Sequence, residues 1–199
     1  MNEGAIREAA RDGKADEDGG EWCEEEYLRE ESQHDKSIAC ARVPTMNDIA
    51  VLLHNVRSAH NVGSVFRTSD AVGVSRMILT GYTPVPVDRF GRIQRDIAKT
   101  ALGAEHDVPW ESHGSPTKII ETLRERGWRI IGIEQDERSR DYRQFRCDGP
   151  TLFVFGNEVR GLSRELRNQC DSLLEIPMRG KKESLNVSVA AGIILFSVL

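Results

Sequence analysis

Short runs in which nearly every residue is apolar constrain this chain most. They are DIAVLLHNV (48–56), RMILTGY (76–82), WRIIGIEQ (128–135) and TLFVF (151–155). Continuous apolar runs of this length suit strands covered on both faces, the condition of a parallel sheet. A fifth strand is expected at Leu173–Met178, stopped by Pro177, which has no N–H for a ladder. Between the runs lie segments of helical period. In SAHNVGSVFRTSDAVGV (58–74), Val62, Val65, Phe66 and Ser69 share a face, Asn61 can cap the start, and Gly73 suits the position past the end. A second helix is expected from Ser115 to Arg126, with Pro116 in its first turn, and a third from Ser163 to about Cys170. This alternation predicts an α/β domain: a mainly parallel sheet flanked by helices. In such sheets ligands bind beyond the carboxyl ends of the strands, which here means the loops after Tyr82, Phe155 and Met178.

The last stretch, EIPMRGKKESLNVSVAAGIILFSVL (175–199), reads as a strand end, a basic loop and a helix from Leu185 that is apolar almost all round. Such a helix is buried on more than one side and suits a dimer interface. Ser184 is the expected N-cap. On the first helix, Arg67 follows Gly63 and Ser64 by one turn, so small neighbours leave its guanidinium room to meet a ligand; a surface arginine on an amphipathic helix explains the same pattern. Thr83–Thr100 is expected to be a long loop, and it carries Arg89, Arg92, Arg95 and Lys99. Four cations on one loop suit a polyanion, although an exposed polar loop accounts for each singly.

Charge divides the 199 residues. Residues 1–36 hold 13 acids and 5 bases, whereas residues 37–199 hold 19 acids and 22 bases, 18 of them Arg. An Arg-rich domain favours a phosphate-bearing partner. The acidic stretch, taken as residues 1–46, has few large apolar residues and is expected to be a disordered extension with a possible short helix over Trp22–Glu31. It serves as a solvated extension or as a partner-binding or autoinhibitory arm. The remaining residues, 47–199, form the predicted domain. Four scattered cysteines without a C-x-x-C pair fit a reducing compartment and argue against a structural zinc or a disulfide framework. With no run of membrane-spanning length and no apolar leader, a soluble cytoplasmic protein without a membrane partner is expected.

Three blocks stand in order: NVGSVFRTSDAVG (61–73), FGNEVRGLS (155–163) and IPMRGKKESLNVSVA (176–190). Together they resemble the three motifs of the SpoU/TrmH family of RNA ribose 2′-O-methyltransferases, within the SPOUT superfamily, over roughly Met46 to Leu199. The resemblance implies an α/β fold with a C-terminal trefoil knot, a homodimer, S-adenosylmethionine as cofactor, and methyl transfer to a ribose 2′-hydroxyl of tRNA or rRNA, with tRNA slightly favoured. It implies catalytic roles for Arg67, Asn61, Glu158, Ser184 and Asn186. It also implies cofactor contacts at Leu79, Thr80, Gly81, Gly156, Ile176, Met178 and Leu185, and no metal. RNA contact is expected at Arg89, Arg92, Arg95, Lys99, Arg160, Arg179, Lys181 and Lys182. Many relatives carry an N-terminal RNA-binding domain where this chain has the acidic stretch, and the family often continues past the point corresponding to Leu199.

Two other readings compete. A non-catalytic RNA-binding or assembly protein could retain this fold, against which the retained Asn61, Arg67, Glu158 and Asn186 argue. An unrelated nucleotide-binding α/β protein is disfavoured because neither G-x-G-x-x-G nor G-x-x-x-x-G-K-[ST] is present.

Overall fold

The computed structural model describes Thr45 and residues 48–199. Apart from Thr45, the acidic stretch and its expected short helix lie outside the described residues. Seven strands form one sheet: β1 (Ile49–His54), β2 (Arg76–Thr80), β3 (Trp110–His113), β4 (Arg129–Ile133), β5 (Arg140–Asp141), β6 (Thr151–Phe155) and β7 (Ser172–Glu175). Among the described residues six α-helices accompany them: α1 (Ala59–Val72), α2 (Arg95–Ala101), α3 (Ala104–Asp107), α4 (Pro116–Glu125), α5 (Arg164–Asn168) and α6 (Val187–Phe196). The strand order is β3-β2-β1-β6-β4-β7-β5, and every pairing is parallel. All carboxyl ends therefore share one edge, with Leu53 beside Phe155 and Phe155 beside Ile133 in register.

The apolar runs arise because both faces of the central strands are covered. Val51 and Leu53 of β1 join Phe66 of α1 and Ala191 and Ile194 of α6 in one core cluster. Their neighbours Ala50 and Leu52, pointing to the opposite face, are equally buried. Helices α1 and α6 thus lie on the same side of the sheet. Helix α4 follows its expected design, with Ser115 accepting from the Thr117 N–H, Pro116 in the first turn and Ile119, Ile120 and Leu123 buried.

Several expectations are corrected. Helix α1 starts three residues earlier than expected: Ser58, extended at φ −86°, accepts from the Asn61 N–H, so Asn61 is not the cap. Helix α6 is capped by Asn186, which accepts from the Ser188 N–H, and Ser184 stays in the preceding loop. Strand β7 ends at Glu175, leaving Ile176–Met178 outside the ladder. The expected loop after β2 is shorter, because Arg95 and Lys99 stand on α2. Strands β3 and β5 were not legible, since four half-buried residues and a two-residue charged pair carry no apolar run. Among the described residues helix α6 is not fully enclosed: Val189 and Phe196 are 50% and 55% exposed.

Candidate functional site

The site begins at the first turn of α1. Because Ser58 takes the capping duty, the Asn61 side chain is released for longer-range bonds. Its Nδ2 donates to Glu158 Oε1 at 3.1 Å, and its Oδ1 accepts from Asn186 Nδ2 at 3.1 Å. Asn186 Oδ1 in turn accepts from the Ser188 N–H and hydroxyl, both at 2.8 Å. Glu158 also accepts from the N–H groups of Arg57 (3.1 Å) and Ser58 (3.3 Å), so its carboxylate sits on the amino end of α1, where the helix dipole favours negative charge. One residue from each of the three sequence blocks therefore enters a single hydrogen-bonded chain. Burial pushes the Glu158 carboxyl up, but the donors from Arg57, Asn61 and Ser58 outweigh it, and its pKa lies below the ordinary value.

The loop after β6 is braced from within. The buried Asn157 accepts from the Val159 and Arg160 N–H groups at 2.9 Å with Oδ1. Its Nδ2 donates to Asn55 O at 2.9 Å and Tyr82 Oη at 3.0 Å, which uses the whole capacity of the amide. The Gly161 N–H closes the loop on Asn157 O at 2.8 Å. Gly161 takes φ +64°, and any Cβ there would run into the Glu134 carboxylate. That carboxylate accepts from the Leu162 N–H at 2.6 Å. At Gly156 the constraint is close approach: the backbone of Gly161 and Leu162 passes where a Cβ would stand.

Beyond the carboxyl ends of β4, β6 and β7 opens a cleft of about 320 Å³. Its lining includes Ile133, Phe155, Gly156, Ile176, Met178, Leu185 and Val187, together with Glu134, Glu158, Glu175 and Glu183. Ser184 and Arg160 line it too. Apolar walls with a few convergent polar groups are typical of small-molecule sites. Four glutamates against one arginine among the lining residues give the cleft an acidic character that favours a cationic ligand, and the apolar walls suit a flat heterocycle. S-adenosylmethionine, with a sulfonium, an amino group and an adenine, fits this donor set.

Of the expected cofactor contacts, Gly156, Ile176, Met178 and Leu185 meet at the cleft, whereas Leu79, Thr80 and Gly81 do not line it. Leu79 and Thr80 end β2 and Gly81 follows it, and β1 separates that strand from β6. Leu79 and Thr80 are fully buried, with Thr80 Oγ1 bonded to His54 Nδ1 at 2.9 Å, and Gly81 packs on the Asn55 side chain. Arg67 also lies outside the cleft. It lines a depression of about 450 Å³ with Ser64, Thr68, Lys99, Thr100, Ser188 and Val189. Gly63 does not make room for Arg67: its open side is filled by Ile97 and Thr100 of α2. The remaining basic residues scatter, with Arg179, Lys181 and Lys182 exposed in the loop before α6 and Arg89 and Arg92 in the turn after β2. Sequence reasoning missed Glu134 and Asn157. Asn157 lies within the second block, and Glu134 ends an apolar run on the ligand-binding rim, so both carried a usable signal.

Among the described residues no helix is long and apolar enough to cross a membrane, and no group of His, Cys, Asp and Glu could hold a metal ion.

Comparison with known proteins bears on this geometry. Residues 48–196 match the SpoU rRNA Methylase family. The 23S rRNA (guanosine-2′-O-)-methyltransferase RlmB of Pseudomonas aeruginosa is 35% identical over 151 residues, covering 76% of this chain and 58% of that protein. The AdoMet-bound rRNA methyltransferase of Sinorhizobium meliloti superposes with a TM-score of 0.71 at 29% identity, covering 80% of this chain and 58% of that one. The SpoU methyltransferase AviRb of Streptomyces viridochromogenes, in complex with AdoMet, gives 0.66 at 30% identity, covering 76% and 56%. The chain spans less than two thirds of the length of these curated relatives.

Proposed function

The chain belongs to the SpoU rRNA Methylase family, and from that premise we propose that it is an S-adenosylmethionine-dependent methyltransferase acting on a ribose 2′-hydroxyl of tRNA or rRNA. The observation that carries this reading is the Glu158–Asn61–Asn186 chain beside the acidic, apolar-walled cleft. Bound S-adenosylmethionine supplies a methyl group on a sulfonium together with its own leaving group. The protein's task is then placement and charge. Gly156, Ile176, Met178 and Leu185 would hold the cofactor, chiefly through backbone groups, in a cleft whose glutamates favour its positive charge. Asn61, Glu158 and Asn186 keep the three motif segments in register, and the Ser184 hydroxyl supplies a polar contact at the cleft.

The Arg67 guanidinium offers a planar fork of N–H donors and no acceptor. It stabilises negative charge on the 2′-oxygen as that oxygen loses its proton to the adjacent RNA phosphate. The chain acts as a homodimer in this reading. The support is the exposed Val189 and Phe196 face of α6, since Val189 and Ser188 also line the Arg67 depression. A second copy on that face would lie over Arg67. RNA phosphates meet Arg89, Arg92, Arg95, Lys99, Arg160, Arg179, Lys181 and Lys182. A trefoil knot within the C-terminal part, a catalytic domain over residues 47–199 and a cytoplasmic location complete the proposal.

The test is methyl transfer from labelled S-adenosylmethionine to total tRNA and to rRNA separately, with Arg67→Ala alongside. Label in one pool, protecting the modified linkage from alkaline cleavage and lost in the variant while calorimetric cofactor binding survives, is the expected result. Cofactor binding with no label in either pool would favour the non-catalytic RNA-binding alternative, and loss of cofactor binding in Arg67→Ala would remove Arg67 from its assigned role.

A further inference from the structure

The turn between β2 and α2 presents Phe90 to solvent, and the ring is 66% exposed. An isolated exposed phenylalanine is unremarked on most surfaces, but this one is built in. Val87 and Ile93 form an antiparallel bridge across the base of the turn. Asp88 organises the tip: one carboxylate oxygen accepts from the Phe90 and Arg92 N–H groups, both at 2.9 Å, and the other accepts from Arg92 Nε at 2.6 Å. The Gly91 N–H donates to Asp88 O at 2.9 Å. The ring's position is therefore fixed by the bonded turn, and on binding only a guanidinium over the face that takes the base must swing aside. Two guanidiniums lie on the ring, Arg89 with its central carbon 4.7 Å from the centroid and Arg92 at 5.0 Å.

From this arrangement we propose that the turn is a stacking platform for an unpaired base of RNA, with Phe90 as the stacking surface and Arg89 and Arg92 as the cations that meet the flanking phosphates. The inference rests on the RNA-substrate reading above and adds to it the form of RNA recognised. A base within an A-form duplex keeps both faces in its own stack, so a lone aromatic can serve only single-stranded, looped or splayed nucleotides. Position supports the assignment. The turn runs into α2, a helix about 10 Å long, and Lys99 in the last turn of α2 shares the depression with Arg67. An RNA strand engaged at Arg67 would reach the platform by running along α2.

The test uses the full chain and two fluorescent RNA probes of about 12 nucleotides, one single-stranded and one fully paired, titrated by anisotropy. Phe90→Ala is expected to weaken single-strand binding about 5- to 150-fold while changing duplex binding less than about twofold. Phe90→Trp restores single-strand binding and Phe90→Leu does not. The salt slope persists in Phe90→Ala but falls by about one in Arg89→Ala. Equal binding by Phe90→Ala and wild type, an equal loss on both probes, or rescue by leucine would each overturn the platform. So would a Phe90-dependent change in self-association with RNA affinity unchanged, which would assign the ring to a protein contact. Calorimetric titration with S-adenosylmethionine separates the two claims. A wild type that binds cofactor but no single strand overturns the platform alone, whereas Phe90-dependent RNA binding without cofactor binding sustains the platform and sinks the methyltransferase reading.

Discussion

Substituting Gly156 by alanine tests the construction of the cleft directly. A Cβ at this position would stand 2.6 Å from Gly161 O and 2.7 Å from Leu162 N, both main-chain atoms that no rotamer change can remove. Non-bonded carbon contacts are comfortable only near about 3.5 Å, so the loop after β6 must open by most of an ångström. Two bonds hold it shut: Gly161 N–H to Asn157 O at 2.8 Å and Leu162 N–H to the Glu134 carboxylate at 2.6 Å. A neutral hydrogen bond contributes about 1 kcal/mol and one to a charged group about 2 kcal/mol. Losing or stretching both costs about 3 kcal/mol, which for a domain of this size lowers the melting temperature by about 6–12 °C. The same opening moves the cleft wall, so cofactor affinity falls about tenfold or more, equivalent to about 1.4 kcal/mol. Thermal unfolding by circular dichroism and calorimetric titration with S-adenosylmethionine read the two effects. Gly149→Ala is the control, because nothing lies within 4 Å of its Cβ position. If Gly156→Ala melted within about 2 °C of that control and bound cofactor as tightly as wild type, the close approach at Gly156 would not be what shapes the cleft.

Three further outcomes are expected. Gly63→Ala drives a Cβ against Ile97 O and Thr100 Oγ1 of α2, and should lower stability by about 2–3 kcal/mol, read as a shift in the urea midpoint without a change in slope. Asn186→Ala removes both the α6 cap and the donor to Asn61, costing about 2 kcal/mol, whereas Asn186→Asp keeps a capping acceptor and should retain part of that stability; equal losses in the two variants would show that the cap contributes nothing. For Glu158, the folded pKa is depressed below the ordinary 4.5, so its stabilising contribution is complete above that value and fades as pH falls through the folded pKa. Wild type should therefore melt above Glu158→Gln near neutrality, with the gap closing below about pH 4.5; a gap constant down to about pH 3 would contradict the charged hydrogen bonds assigned to this residue.

Much of this protein is determined by local sequence. Strands β1, β2, β4 and β6 were legible because residues covered on both faces must be apolar at successive positions, and that leaves an unbroken run. Helix α4 announced itself through Ser115, Pro116 and the Ile119–Ile120–Leu123 stripe, all of which act within one or two turns. The three blocks marked the chemistry, since each is a contiguous string of residue types. Strands β3 and β5 left no such trace, because edge strands of two to four half-buried residues owe their pairing to neighbours already in place.

What tertiary structure alone decided is which of the marked residues meet. Asn61 read locally as a helix cap, and it became the link between Glu158 and Asn186 only because Ser58 took the cap and the fold brought positions 97 and 125 residues away to its side. Leu79, Thr80 and Gly81 lie on the same rim as Gly156 in sequence logic, yet β1 stands between the two strands. Arg67 likewise parts from the cleft and joins Lys99 and Ser188. Strand propensity and capping are properties of a few adjacent residues and can be read along the chain. Strand order and long-range hydrogen bonds depend on which surfaces pack together, and no single segment encodes that choice.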